Sequence, residues 1–131
     1  MAYRSAQGEV YKALRKQLLR DGRDYIPVGE TAGYPRIEIH SFTENAPTDK
    51  DGMVRTLSCI VESMSVSSYG DVVTMNEGNL ERLLKDGWGI GKGFTILGIT
   101  PDQLTELTET LDTQEILYRQ LQRINVTIWQ N

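Results

Sequence analysis

From Leu121 to Trp129 the chain alternates apolar and polar residues: Ile124, Val126 and Ile128 fall on one side, and Arg123, Asn125 and Thr127 on the other. A period of two is the signature of a β-strand with one face buried and one face wet. Such a strand is not stable alone, so it demands hydrogen-bonded neighbours and a covering layer. Two other segments supply the neighbours. Arg36 to Phe42 alternates in the same way, with Ile37 and Ile39 inward and Arg36, Glu38 and His40 outward. Val54 to Ser65 is rich in Val, Ile, Leu, Thr and Ser and reads as a long strand. The polar stretch between them, Glu44 to Gly52, contains Pro47 and Asp51-Gly52, so the pair is expected to be an antiparallel hairpin with an enlarged loop.

Two amphipathic segments can form the covering layer. In the first, Ala6, Val10, Ala13, Leu14, Gln17 and Leu18 share a face, with Ser5 as the expected cap and Gly22 as the stop. The second runs from about Asp71 to Lys85. Its apolar stripe is Val72, Val73, Met75, Leu80, Leu83 and Leu84, and Ser68 with Asp71 three residues on resembles a capping box. Tyr25 to Glu30 reads as a short extended segment that Pro27 confines to an edge or bend.

A further strand is expected from Phe94 to Ile99. The piece from Thr100 to Leu111 is open to two readings: Leu104, Leu107 and Leu111 have helical spacing, while the repeated Thr-Glu-Leu composition suits a strand with a turn at Asp112-Thr113. The fold class is α+β: two helices packed on one face of a mainly antiparallel β-sheet, forming a single domain over residues 1–131. No apolar run approaches the roughly 18 residues needed to cross a bilayer. Met1 to Glu9 lacks the long apolar core of a secretory signal, so none is expected.

Chemistry-bearing residues are sparse. There is one histidine, His40, and one cysteine, Cys59, which makes no internal disulfide and reads as a small apolar filler in a strand. His40 lies on the polar side of its strand with no second His or Cys to complete a metal set, so it reads as an exposed or interface residue. Gly89, Gly91 and Gly93 with Lys92 look superficially like a phosphate loop. They follow a helix and precede a strand, the wrong order for presenting phosphate to a helix N-terminus, and read as a connection. Glu106, Glu109, Asp112 and Glu115 lack the tight loop of an oxygen-rich cation site and read as a solvated acidic face. Trp88 and Trp129 are expected to anchor core or interface. No catalytic, cofactor-binding or metal-ligating residue is assigned, and no cofactor is expected.

Charge is divided along the chain. Residues 1–36 hold seven Lys/Arg against four Asp/Glu, a net +3, whereas residues 37–131 hold seven against fourteen, a net −7. Asp102 to Glu115 carries five acids and no base. A broad nucleic-acid grip needs clustered cations, so sequence-specific nucleic-acid binding is not expected.

The order of elements resembles the small tail-terminator, or tail-completion, proteins of long-tailed bacteriophages and prophages. The resemblance rests on the helix around Glu9-Val10-Tyr11-Lys12-Ala13-Leu14 and the extended Tyr25-Ile26-Pro27-Val28-Gly29. It continues with the strand opening Tyr34-Pro35-Arg36-Ile37-Glu38-Ile39, the helix ending Leu83-Leu84, and a closing hairpin from Leu104 to Trp129. It implies helices on an antiparallel sheet, a β-strand for residues 102–111, and no catalysis. It also implies a six-fold homo-oligomeric ring that caps the tail tube, with the tube protein and a head-tail connector or neck protein as partners. The product would then be made in the host cytoplasm and reside in the virion. Another head-tail completion protein, or a small enzyme or ligand-binding module built on His40 and nearby acids, are the alternatives.

Overall fold

The computed structural model describes residues 4–18, 33–45, 53–91 and 93–131. The expected stop at Gly22, the Tyr25–Glu30 segment and nearly all of the Glu44–Gly52 loop lie outside them. The elements run α1 (Gln7–Leu18), β1 (Arg36–Glu44), β2 (Val54–Ser65), α2 (Tyr69–Leu83), β3 (Phe94–Thr110) and β4 (Ile116–Gln130). The strands form one sheet in the order β1-β2-β4-β3, with every neighbouring pair antiparallel. Two helices on an antiparallel sheet make this an α+β fold, as the hydrophobic periodicities require. Among the described residues no helix is long and apolar enough to cross a membrane.

Register decides which side chains meet the helices. Leu57, Cys59 and Val61 of β2 pair with Val126, Ile124 and Gln122 of β4, and Ile39 of β1 pairs with Val61. Directly paired residues share a face. That face meets Val10, Leu14 and Leu18 of α1 and Val72, Met75 and Leu83 of α2 in one buried core. α1 lies over β1 and beside α2, while α2 spans β2 and β4.

The core also holds buried polar side chains. Asn76 Nδ2 donates to Gln122 Oε1 at 3.2 Å and Asn79 Nδ2 to Ser63 Oγ at 3.0 Å, both buried between α2 and the sheet. Gln17 Nε2 of α1 donates to the Arg82 carbonyl at 2.8 Å. Buried amides must be paired to be tolerated, and pairing them fixes the setting of α2 on the sheet.

The helix starts follow capping chemistry, with one change. At α2, Ser68 Oγ accepts from Asp71 N at 3.1 Å, and the Asp71 carboxylate in turn accepts from Ser65 Oγ at 2.7 Å. At α1 the first turn closes from Val10 N to the Ala6 carbonyl at 2.9 Å, so Ala6 rather than Ser5 stands at the cap. Ala6 is fully buried, and a small side chain fits that position where a larger polar one would not.

Arg55 binds the edges of the domain together. It is buried, and its guanidinium donates to the Arg4 carbonyl at 2.6 Å, Gln130 Oε1 at 2.5 Å and Glu44 Oε2 at 3.2 Å. It also lies 5.7 Å from the Phe94 ring centre, with Arg4 at 4.9 Å from the same ring. Segments from the amino terminus, β1, β3 and β4 thus converge on one side chain from β2.

Candidate interaction surface

Residues of the sheet face turned away from the helices gather the histidine and several charges. Arg36, Glu38 and His40 of β1 pair with Met64, Glu62 and Ile60 of β2, and Glu62 pairs in turn with Leu121 of β4. Glu62 is buried to 1% exposure, although this face has no helix on it among the described residues. Its carboxylate is shared: Oε1 meets His40 Nε2 at 2.8 Å and Oε2 accepts from Arg119 Nε at 2.5 Å. Arg36 meets Glu38 at 2.9 Å, and Arg119 reaches Glu109 at 3.7 Å. The Glu62 hydrogen bond is the main reason that the Arg119 pKa rises, so its charge is secure.

Glu38, His40 and Glu62 each offer a ligand atom, all within 4.8 Å of one another. Two guanidiniums already occupy these carboxylates. A divalent cation would have to displace Arg36 and Arg119, so the cluster is a self-neutralised network rather than a prepared metal centre. His40 Nδ1 also meets Ser41 Oγ at 2.8 Å, which gives a Ser41–His40–Glu62 chain of contacts. Ser41 sits at φ 59°, at the register shift between His40 and Thr43. That bulge has a packing reason: it brings Phe42 to the core, edge-on to Tyr11 with ring centres 6.4 Å apart. The chain of contacts lies on an open strand surface, and none of the cavities described below is lined by His40 or Ser41. Acyl-transfer chemistry needs donors for the developing oxyanion and exclusion of water, and among the described residues this surface shows neither arrangement.

Cys59 is buried against Ile124, and burial pushes its thiol pKa up to about 12, with Arg123 opposing the shift slightly. It is the filler that its strand position suggests, since the thiolate is the reactive form. Trp88 packs on the core and donates Nε1–H to the Leu83 carbonyl at 3.2 Å, closing the end of α2. Trp129 is about half exposed on β4.

The loop after α2 connects it to β3. Gly87 and Gly93 adopt φ of 93° and 84°, which glycine tolerates without a Cβ penalty. A Cβ on Gly93 would fall 2.6 Å from Arg4 Nη2. Lys92 lies outside the described residues. A cavity of about 360 Å³ opens beside this loop, lined by Leu83, Leu84, Trp88, Ile96, Leu97 and Ile99 among others.

The β3–β4 arm carries the most exposed apolar and acidic residues together. Residues 94–110 form one strand, so the ambiguity over residues 100–111 resolves to β for Thr100–Thr110. Leu104 pairs with Gln122 and Leu107 with Arg119, on opposite faces of the sheet. Their helical spacing was coincidental. The four acids divide in the same way. Glu106 pairs with Gln120 on the helix-side face and Glu109 with Leu117 on the other, while Asp112 and Glu115 sit at the turn. They do not converge on a cation.

Glu106 accepts from the Tyr69 hydroxyl and, at 3.0 Å, from Gln120 Nε2; holding the Tyr69 proton raises that phenol's pKa. A cavity of about 210 Å³ sits here between α2 and the arm, lined by Tyr69, Val72, Glu106, Leu107, Tyr118 and Arg119 among others. A smaller one, about 100 Å³, lies between Ile60, Leu121 and Arg123. The arm's role as a surface was hidden in the sequence, because Leu104, Leu107 and Ile116 look like core residues until the register is known.

No protein-family profile matches this chain, and no curated protein matches it by sequence. Among solved structures it is similar to a chain in the virion of a native gene transfer agent particle. The TM-score is 0.71 at 10% identity, and the match covers 95% of this chain and 99% of that one. The likeness is one of fold, from end to end of both chains.

Proposed function

We propose that this protein is a structural component of a phage-like virion: a tail-terminator-type subunit that assembles into a ring, caps the tail tube and helps join tail to head. The observation that carries this reading is the fold likeness to a virion chain, which covers 95% of this chain and 99% of that one. The chemistry agrees with it. The histidine, the cysteine and the buried charges all serve packing or internal pairing, which leaves the exposed arm and the charged flanks for contact with other chains. A subunit this small gains a wide binding surface by repetition around an axis.

The ring, the tube and a connector or neck protein are the partners this function requires. The test is electron microscopy and native mass spectrometry of the purified chain, alone and mixed with tail tubes. Rings seated on tube ends are the expected result. A chain that stays monomeric with and without tubes overturns the ring. Rings that copurify with portal protein and ignore tubes move the role to the head side of the neck.

A further inference from the structure

α1 and the β3 arm carry opposite charge. α1 lies over β1 at one edge of the sheet, and β3 forms the other. On α1, Lys12 and Lys16 are exposed and Arg15 is half-buried. Lys12 meets Glu9 within the helix at 3.8 Å, an exposed pair of small energetic weight. From Gly93 to Tyr118 there is no Lys or Arg, while Asp102, Glu106, Glu109, Asp112 and Glu115 all lie on β3 or the turn that follows it.

β3 is also the least covered strand. Residues 100–110 are exposed without interruption, including Leu104 at 45% and Leu107 at 43%, and Ile116 beyond the turn is 46% exposed. A sheet edge that carries apolar residues invites another chain. Two β3 edges meeting each other would set acids against acids, which disfavours a symmetric pairing. The oppositely charged α1 lies over β1, the other edge strand, so joining the two links unlike surfaces of successive copies, as a ring requires.

We propose that the β3 edge from Leu104 to Thr110, with its turn, is the surface on which the α1 flank of a second copy of this chain docks. The inference rests on the ring reading and specifies the contact that would build it. Leu107 shares a face with Glu109 and supplies apolar area beside it, Leu104 and Ile116 border the edge from the other face, and the acids select Lys12 and Lys16 and set the register. Glu106 is already held by Tyr69 and Gln120, so less ordering remains to be lost on contact.

Charge exchange tests it in the full chain. K12E/K16E and E109K/D112K should each weaken self-association at least tenfold in sedimentation velocity. Combining all four changes should restore it to within about threefold, with circular dichroism unchanged throughout. A second measurement uses cysteines, since the buried Cys59 thiol stays silent. Under mild oxidation Lys16→Cys with Glu109→Cys should give a disulfide-linked ladder that neither single variant gives.

A four-fold variant no better than its parents, or a ladder absent from the double-cysteine chain, overturns the contact. Dimers from Glu109→Cys alone do so too, because they reveal edge-to-edge β3 pairing. If any of these results accompanies intact rings of the unmodified chain, the contact is wrong and the ring reading stands. If the unmodified chain forms no ring even with tail tubes, both fall.

Discussion

β2 and β3 both run antiparallel along β4, and both pair with it over nearly their full length. Their surroundings could hardly differ more. Every residue of β2 is buried or half-buried, whereas β3 is exposed at every position from Thr100 to Thr110. β2 has strands on both sides, helices over one face and the Glu62 network on the other. Among the described residues β3 has one strand neighbour, and its exposed second half is reached by the start of α2 through Tyr69. The same backbone pairing therefore supports two different tasks. Side chains on β2 hold the domain together, and those on β3 from Thr100 onward are largely free of that duty. If this division is right, substitutions should separate cleanly: large stability losses toward β2 and β4, small ones on the arm.

The largest effect should come from Arg55. Its guanidinium is the shared partner of Glu44, Gln130 and the Arg4 carbonyl, and removing it leaves these acceptors buried without their cation. Breaking a buried charge pair from one side costs about 3–5 kcal/mol. Arg55→Ala should therefore lower the unfolding free energy by about that amount in urea titration. A loss below about 1 kcal/mol would mean that the network is incidental, since surface changes fall within that size.

Next comes the apolar face shared by β2 and β4. Ile124 is fully buried opposite Cys59, and truncation leaves a cavity among residues held by both helices. Ile124→Ala should cost about 2–5 kcal/mol, measured in the same titration.

The thiol beneath it gives a smaller, pH-dependent effect. Burial holds the folded Cys59 thiol protonated to about 12, against 9.0 when free. A raised folded pKa contributes stability that is whole below the unfolded value and lost as pH climbs toward the folded one. Between pH 9 and 12 the wild type should thus lose stability faster than Cys59→Ala, by about 1 kcal/mol over the first unit above the free value, the slope then approaching about 1.4 kcal/mol per unit. Parallel pH profiles for the two proteins would show that Cys59 ionises as freely folded as unfolded.

The strands' division of labour was only partly visible in the amino-acid order. Alternation placed Ile37, Ile39, Ile124, Val126 and Ile128 inward, and the structure agrees, because a half-buried strand has only one way to bury such a pattern. The limits of β2 were legible from composition, as a run rich in Val, Ile, Leu, Thr and Ser. The arm was not. Leu104 and Leu107 stand three apart, a helical separation, and nothing local says that each would sit half-exposed on opposite faces of an edge strand.

The polar core was equally hidden: Gln120 and Gln122 continue the inward face of β4, but the alternation there reads as a surface. Their burial depends on Asn76 and Asn79 arriving from α2, a tertiary fact. Glu62 shows the same limit. A glutamate in a strand suggests solvent, yet it is buried because His40 and Arg119 converge from two neighbouring strands.

The smallest expected change in stability is also the sharpest test of the comparison. Leu107 pairs with Arg119, is 43% exposed and lines the shallow cavity with Tyr69. Replacing it by serine removes an apolar side chain that the folded monomer leaves largely in water. The unfolding free energy should therefore move by no more than about 0.5 kcal/mol. Self-association should respond far more, because a half-exposed leucine at a subunit contact is buried only when the second copy arrives. Leu107→Ser should weaken assembly at least tenfold, about 1.4 kcal/mol per contact, while urea and thermal melts of the monomer stay where they were. If Leu107→Ser instead destabilises the monomer by about 2 kcal/mol, a core-sized loss, the arm belongs to the domain's own packing, and the contrast between β2 and β3 is one of degree.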